Sequence, residues 1–163
     1  MRLSAVPFQL MFATLWFFVT VPIDGAQSQS SELRTMQSLI NQARARGANC
    51  GGKWYGPAPP LQWHGGLSRA ANRWARHMVR TGRFAHSHDG STFVKRIIGV
   101  CGRTFMGENL SGNRSASGAV RSLLKSPVHC RNIMNPKFKL IGLGKAAGGR
   151  YGAYWVQKFA SRC

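Results

Sequence analysis

Two histidines and one glutamate are the residues of this sequence best suited to metal or acid–base chemistry. They are His86, Glu108 and His129. Two imidazoles and one carboxylate form a common set of metal ligands with open coordination positions, so a divalent metal such as zinc is a candidate cofactor. The same side chains could instead form a hydrogen-bonded polar cluster that lines a cleft. Their spacing in the chain does not by itself bring them together, so both interpretations stay open.

The acid in this set is unusual because the chain is strongly basic. Its 163 residues include 23 Lys and Arg but only 4 Asp and Glu, which gives a formal net charge of +19. Such a charge favours binding to polyanions through counterion release, although solubility alone would also explain it. The candidate partners are anionic lipid headgroups, with peripheral membrane contact, and acidic envelope polymers. Nucleic acid is not expected as the main ligand, since no basic zipper, zinc finger or RNP-like motif is present.

The N-terminal segment predicts export. A basic start at Arg2, a long apolar run and a small-residue exit are typical of a secretory signal peptide. We expect cleavage after Ser28, with Ala26 as the second choice, so that residues 1–28 are removed and 29–163 form a single exported domain. An uncleaved membrane anchor is the alternative, because the apolar run is nearly long enough to span a bilayer.

The cysteines also fit an exported protein. There are four, at positions 50, 101, 130 and 163. An even number in an exported chain predicts two disulfides, for which three pairings exist. No CxxC motif is present, which argues against a zinc ribbon.

The candidate residues must be positioned by helices and strands, whose places the hydrophobic pattern predicts. Helices are predicted over 32–46, 66–82, 92–98, 117–125 and 129–134, and strands over 103–111, 138–144 and 151–160. The segment 47–63 is rich in glycine and proline, which predicts an ordered surface loop. Helices and antiparallel strands mix without a βαβ rhythm, so the predicted fold class is α+β.

Five arginines recur at helical spacing along the second predicted helix. They are Arg69, Arg73, Arg76, Arg80 and Arg83. A basic face of this kind is usually solvated, but it could also dock on an anionic surface. We predict that Arg73 and Arg80 are exposed on the same face, and that His77 of this helix is a surface residue.

Five segments, in chain order, resemble the sequence blocks of the CAP superfamily, which groups cysteine-rich secretory proteins, antigen 5 and pathogenesis-related 1 proteins. They are "PLQWHGGLSRAANRWARHM" (60–78), "RFAHSHDGSTFVKRI" (83–97), "GENLSG" (107–112), "SPVHCRNIMNPKFKLIGLG" (126–144) and "YWVQKFA" (154–160). The block over 126–144 is similar to that of bacterial members, and proteins of this superfamily are also called SCP-like extracellular proteins. The resemblance covers about residues 33–160.

The resemblance implies an α-β-α sandwich with a small antiparallel sheet between helices, and a surface cleft lined by histidine and acidic residues. Position by position, His86 matches the "FSH" histidine, Glu108 the "GEN" glutamate and His129 the "SPGH" histidine of the family. These three are therefore the predicted cleft residues and the predicted metal ligands, and His88 is a weaker candidate. The resemblance also implies the disulfides Cys50–Cys130 and Cys101–Cys163.

The sequence departs from the family pattern at three positions. Leu123 stands where a tryptophan is usual, Val128 replaces the glycine of the "SPGH" block, and Tyr154 replaces a histidine of the closing strand in animal and plant members. These changes argue against a complete set of four metal ligands.

The function that follows is binding of a lipid, a sterol-like molecule or an anionic envelope polymer by an exported monomer. The alternative is a hydrolase, either metal-assisted or using Ser87 or Ser126 near the histidines. No GxSxG motif is present, which favours binding. A third hypothesis is a polyanion-binding protein that acts through surface charge alone.

Overall fold

The computed structural model of the protein describes the backbone of residues 24–163, with side chains from residue 31 onward. Most of the predicted signal segment lies outside the described residues, so its cleavage stays a prediction. Within the described part, no helix combines the length and the apolar character needed to cross a membrane.

The described chain alternates helices with short strands. The helices are α1 (Asp24–Arg46), α2 (Gly65–Thr81), α3 (Phe93–Cys101), α4 (Ala116–Lys125) and α5 (Pro127–Met134). The strands are β1 (Ala48–Cys50), β2 (Lys53–Tyr55), β3 (Gln62–Trp63), β4 (Met106–Gly112), β5 (Leu140–Ala147) and β6 (Ala153–Ala160).

Four of the strands form the central sheet, in the order β3-β5-β6-β4. The β5–β6 and β6–β4 pairs are antiparallel, whereas the short β3 pairs with β5 in parallel. The strands β1 and β2 form a separate antiparallel hairpin. The sheet is therefore a small, mostly antiparallel one, and β4 is one of its edges.

Helices cover both faces of this sheet, because the strands are apolar on both sides. Along β6, Trp155 and Phe159 join a core with α1, α4 and α5, while Tyr154 and Val156 pack with α2 on the other face. Successive side chains of a strand point to opposite faces, which explains this division. The architecture is an α-β-α sandwich of the α+β class, as predicted.

Two glycines of β5 set the distance between α2 and the sheet. A Cβ atom on Gly142 would lie 2.3 Å from the carbonyl carbon of Leu67, and one on Gly144 would lie 2.3 Å from the carbonyl carbon of Ala71. Only glycine allows the helix backbone to approach this closely. The position of α2, which carries the arginine face, is therefore fixed by backbone contact.

Several predicted boundaries are wrong, among them those of α5, β5 and β6, which begin at Pro127, Leu140 and Ala153. The helix α1 begins at Asp24 rather than near Glu32. The helix α3 continues through Gly99 to Cys101, and its C-cap is Gly102, whose positive φ of 67° favours glycine. The predicted strand over 103–111 begins only at Met106. Within the predicted loop over 47–63, the chain forms the β1–β2 hairpin and β3.

Both predicted disulfide pairs are present. Cys50 of β1 is bonded to Cys130 of α5, and Cys101 of α3 is bonded to Cys163 at the end of the chain. The sequence separations are 80 and 62 residues. In the chain-entropy model, closing loops of this length contributes roughly 3–5 kcal/mol each.

One arginine is buried in the core beside α5. Arg44 of α1 is 0% exposed. Its guanidinium donates hydrogen bonds to the carbonyl oxygens of Pro59 (2.7 Å), Ile133 (2.7 Å), Asn135 (3.0 Å) and Phe138 (3.3 Å). Burial lowers the pKa of Arg44 to about 10. Carbonyl groups near the end of α5, rather than a carboxylate, stabilise this charge.

Candidate functional site

Glu108 lies in the interior of the sandwich, not on the surface of a cleft. It occupies the middle of β4, directly opposite Lys158 of β6. Directly opposite residues of an antiparallel pair share a face, so both side chains point toward α2 and α3. The side chain of Glu108 is 1% exposed and that of Lys158 is 0% exposed.

Three nitrogen groups surround the Glu108 carboxylate. The Nδ1 atom of His86 lies 3.0 Å from Oε1. The Nη2 atom of Arg96 lies 3.2 Å from both carboxylate oxygens, and the Nζ atom of Lys158 donates to Oε2. Both oxygens therefore accept hydrogen bonds from cationic groups, and the cluster is an ion-pair network.

The pKa values in this network follow from burial and charge. Burial by itself raises the pKa of Glu108, but the hydrogen bond from His86 and the nearby charges of Lys158 and Arg96 outweigh it, and the pKa lies below its usual range. Burial lowers the pKa of Lys158 to about 8, although the Glu108 charge opposes this shift. Glu108 is therefore held as a carboxylate at neutral pH.

Arg96 of α3 connects this network to the loop over 86–91. Its guanidinium carbon lies 3.5 Å from the centre of the Trp74 ring. It donates to the backbone oxygens of His86 (2.8 Å) and Ser91 (3.1 Å). Its Nε atom, which is buried, has no hydrogen-bond partner among the described residues.

Sequence reasoning missed both cationic partners of Glu108. Lys158 interrupts a strand that is buried along its whole length, and a charged residue in such a run indicates a buried partner. Arg96 carries no comparable indication, since it lies among other basic residues of a short helix.

His129 lies on the other side of the edge strand. It belongs to α5, and its Nδ1 atom is 2.8 Å from Oγ of Ser126. The side chain of Asn109, the residue after Glu108, donates to the backbone oxygen of His129 at 3.1 Å. Burial lowers the pKa of His129, and the electrostatic effect of His86 lowers it further.

The structure places His86 against Glu108 and engages His129 with Ser126. A metal ion at Glu108 would have to displace or face the cationic groups of Arg96 and Lys158, which is electrostatically unfavourable. The geometry therefore favours the hydrogen-bonded cluster over a metal centre at these three residues. Zinc binding by His86, Glu108 and His129 stays a prediction.

Other potential ligand groups exist in the part of the chain that the structure describes. Two sets of three or more His, Cys, Asp or Glu side chains have ligand atoms within 4.8 Å of one another. They are His77, His88 and Asp89, and His64 with the disulfide-bonded Cys101 and Cys163. Neither set contains Glu108. His88, the weaker candidate of the sequence analysis, thus pairs with His77 instead.

The arginine face of α2 borders a groove of about 430 Å³. Arg73 and Arg80 are exposed one heptad apart on this face, as predicted, and both line the groove together with Arg96. His77 is not the plain surface residue that the sequence suggested. Its half-buried ring stacks on Trp74 at a centroid distance of 4.7 Å. We refer to this feature as the basic groove.

The model of the cysteine-rich secretory protein (CAP) family matches residues 37–159. The uncharacterized protein YkwD of Bacillus subtilis (strain 168) is 31% identical over 107 residues, which are 63% of this chain and 40% of that protein. The chain therefore spans less than half the length of this curated relative.

Solved structures of low sequence identity share the fold. An outer surface protein from Borrelia burgdorferi superposes with a TM-score of 0.69 at 19% identity, over 83% of this chain and 96% of that one. An extracellular protein with an SCP domain from Bacillus anthracis str. Ames gives a TM-score of 0.68 at 21% identity, over 94% of this chain and 47% of that one. With the sheet, its two helical layers and the family match in agreement, the chain belongs to the CAP family of cysteine-rich secretory proteins.

Proposed function

We propose that this CAP-domain protein works outside the cell by binding anionic lipid headgroups through the basic groove. The observation that carries the proposal is the convergence of Arg73, Arg80 and Arg96 on one groove beside Trp74. Guanidinium groups bind phosphate oxygens through paired N–H donors, and they do so in a planar, directional way. Similarity to proteins described as extracellular or outer-surface supports an exterior location.

The surroundings of the groove strengthen its attraction for anions. The chain carries a formal net charge of +19, so its long-range field favours approach to an anionic surface. Arg69 and Arg76 of α2 and Arg83, two residues after its end, add further exposed positive charge near the groove. Each basic side chain near such a surface contributes about 1 kcal/mol of attraction.

The buried network favours binding over hydrolysis at Glu108. A general base or metal ligand needs an oxygen that substrate, water or metal can reach. Oε1 of Glu108 accepts from His86 and Arg96, Oε2 accepts from Arg96 and Lys158, and the side chain is 1% exposed. Its role is to hold α3 and the loop over 86–91 in place, which positions Arg96 in the groove.

Vesicle binding tests the proposal. The double variant Arg73→Glu/Arg80→Glu should lose at least about tenfold in affinity for vesicles of phosphatidylglycerol and phosphatidylcholine at low salt. The matched control is Arg121→Glu/Lys125→Glu on α4, which makes the same change in net charge on the other side of the sheet. Equal losses in the two variants would show that charge alone, not the groove, drives binding.

Soluble competitors separate lipid from polymer. Displacement of the protein from anionic vesicles by phosphorylated headgroups at a similar phosphate concentration supports a lipid ligand. If a soluble polyphosphate competes far better than headgroups do, an anionic polymer is the better candidate.

A second candidate function rests on the contact between Ser126 and His129. Their Oγ and Nδ1 atoms are 2.8 Å apart, and the lowered pKa of His129 keeps this imidazole neutral and able to accept a proton. If the protein hydrolyses esters with Ser126 as the nucleophile, a fluorophosphonate probe should label Ser126. Absence of labelling in the folded protein, with a known serine hydrolase labelled in parallel, removes this candidate.

A further inference from the structure

Three potential metal ligands that do not belong to the Glu108 network line the basic groove. His77 lies on α2, whereas His88 and Asp89 lie in the loop before α3. The Nε2 atom of His77 is 3.0 Å from Nδ1 of His88, and this Nδ1 atom is 2.8 Å from Oδ2 of Asp89. All three ligand atoms lie within 4.8 Å of one another.

A tight turn holds the two loop ligands in place. The backbones of His88 and Ser91 exchange two hydrogen bonds of 3.1 and 2.9 Å across a two-residue turn. The turn residues Asp89 and Gly90 have φ values of 50° and 69°, a left-handed pair for which Asp-Gly is a preferred sequence. His77 is held in turn by stacking on Trp74. The backbone of the two loop residues and the ring of His77 are therefore held in place.

With both imidazole rings neutral and Asp89 ionised, no placement of the ring protons gives every contact in this cluster both a donor and an acceptor. Nδ1 of His77 lies 3.3 Å from Nη2 of Arg80, which can only donate, so the proton of the neutral ring belongs on Nε2. Nε2 then donates to Nδ1 of His88, which must be unprotonated. Yet this same unprotonated nitrogen faces the carboxylate of Asp89, an acceptor whose side chain is 69% exposed.

We propose that His77, His88 and Asp89 bind a divalent transition metal such as Zn²⁺. A metal ion between the three atoms would accept a lone pair from each, which removes the conflict between His88 and Asp89. Ligand atoms around tetrahedral zinc lie about 3.3 Å apart. The contacts of His88 with His77 and Asp89, at 3.0 and 2.8 Å, would each widen by less than about 1 Å, and His77 and Asp89 already lie within 4.8 Å of each other. Two imidazoles and a carboxylate select zinc-like ions over Mg²⁺ and Ca²⁺, which prefer oxygen.

Arg80 must move when the metal binds. Coordination through Nε2 places the ring proton of His77 on Nδ1, which then faces a second donor, the Arg80 guanidinium. Because the Arg80 side chain is exposed, it can turn into solvent. Arg73 and Arg96 also line this groove and oppose a cation, so an anion in the open coordination position would complete the site. This inference does not rest on the proposed lipid binding, although both use the same groove and Arg80.

Metal titration of the untagged protein with both disulfides intact tests the proposal. Zn²⁺ binding by calorimetry and the visible spectrum of bound Co²⁺ report affinity and coordination. Wild type should bind one ion, and Asp89→Asn should weaken binding by at least about tenfold. Asn tolerates the left-handed conformation, so this exposed variant keeps the turn and the fold. His88→Gln and His77→Gln should each weaken binding at least as much.

Two further variants make the assignment specific. His129→Gln removes a histidine of the family-type set on α5 and should leave the affinity unchanged. Arg80→Gln removes a nearby positive charge and a competing donor, so it should raise the affinity by roughly three- to tenfold. The same Arg80→Gln change should weaken vesicle binding, which separates this site from the lipid proposal. Wild-type affinity in both Asp89→Asn and His88→Gln, or a loss in His129→Gln as large as theirs, overturns the proposal.

Discussion

Two regions of the molecule bury cations in opposite ways. On one face of the sheet, Arg44 is surrounded by backbone carbonyl oxygens and contacts no carboxylate among the described residues. On the other face, Arg96 and Lys158 share a single carboxylate, that of Glu108. Arg44 and Lys158 are both fully buried, yet one relies on dipoles and the other on an ion pair.

The difference explains why a chain with only four acidic residues keeps Glu108. The Arg44 guanidinium carries five N–H donors in one plane, and carbonyl oxygens that converge near the end of a helix can accept hydrogen bonds from them. The ammonium of Lys158 lies in the middle of a sheet, where backbone carbonyls are already used by the strands. A buried lysine at that position requires an anion, and Glu108 opposite supplies it.

The largest expected effect comes from removing this anion. Glu108→Gln leaves Lys158 and Arg96 buried without a counter-charge, so we expect a loss of roughly 3–5 kcal/mol in the free energy of unfolding. Denaturant unfolding at pH 7 measures it. A loss below about 1 kcal/mol would mean that water or rearrangement satisfies the cations, and the contrast between the two regions would disappear.

The corresponding change in the first region should cost less. Arg44→Met leaves no unpaired charge, only carbonyl oxygens that have lost donors, and we expect a loss of about 2–3 kcal/mol. The same unfolding experiment compares the two variants directly. If Arg44→Met proves as costly as Glu108→Gln, carbonyl groups and a carboxylate stabilise buried cations equally well in this fold.

Lowering the pH should distinguish the two regions by their effect on stability, without a mutation. The folded pKa of Glu108 lies below its unfolded value, so its stabilisation is complete above about pH 4.3 and is lost as pH falls through the folded pKa. Arg44 does not titrate in this range. Wild type should therefore lose more stability than Glu108→Gln between about pH 5 and pH 3, on the order of 1–2 kcal/mol. Parallel stability curves for the two proteins would contradict this assignment.

Removing the lysine should have a smaller effect than removing the glutamate. In Lys158→Met the carboxylate keeps Arg96 and His86, and the desolvation that lowers the pKa of Lys158 to about 8 is relieved. We expect a change within about 1 kcal/mol of wild type. A loss of stability as large as that of Glu108→Gln would show that the Glu108 carboxylate requires Lys158, rather than the reverse.

The smallest expected effect is that of zinc on the Glu108 network. In the Asp89→Asn background, which removes a ligand of the site at His77, added Zn²⁺ should not raise the melting temperature. A metal centre at His86, Glu108 and His129 would instead give a saturable rise that Glu108→Gln abolishes. The first result identifies the network as structural, and the second restores the zinc hypothesis.

The sequence blocks shared with the family predicted local structure and the features that the resemblance implies. The sandwich, both disulfides, and the contact between His86 and Glu108 were all available from those blocks. The contact of His77 with His88 was not, because it depends on how the Asp89–Gly90 turn folds back on α2. Pairings across the sheet, such as that of Glu108 with Lys158, depend on strand register, which residue patterns alone do not supply.

The backbone approach of α2 to Gly142 and Gly144 has a consequence for how the surface can change. Since the helix rests on the sheet through main-chain atoms, its outward side chains do not hold it in position. Exposed arginines of α2, such as Arg73 and Arg80, can therefore be exchanged, added or lost while the helix keeps its place on the sheet. The glycine pair, in contrast, admits no side chain. Substitutions on the exposed face of α2 can therefore change ligand preference during evolution, while Gly142 and Gly144 keep the helix at the same distance from the sheet.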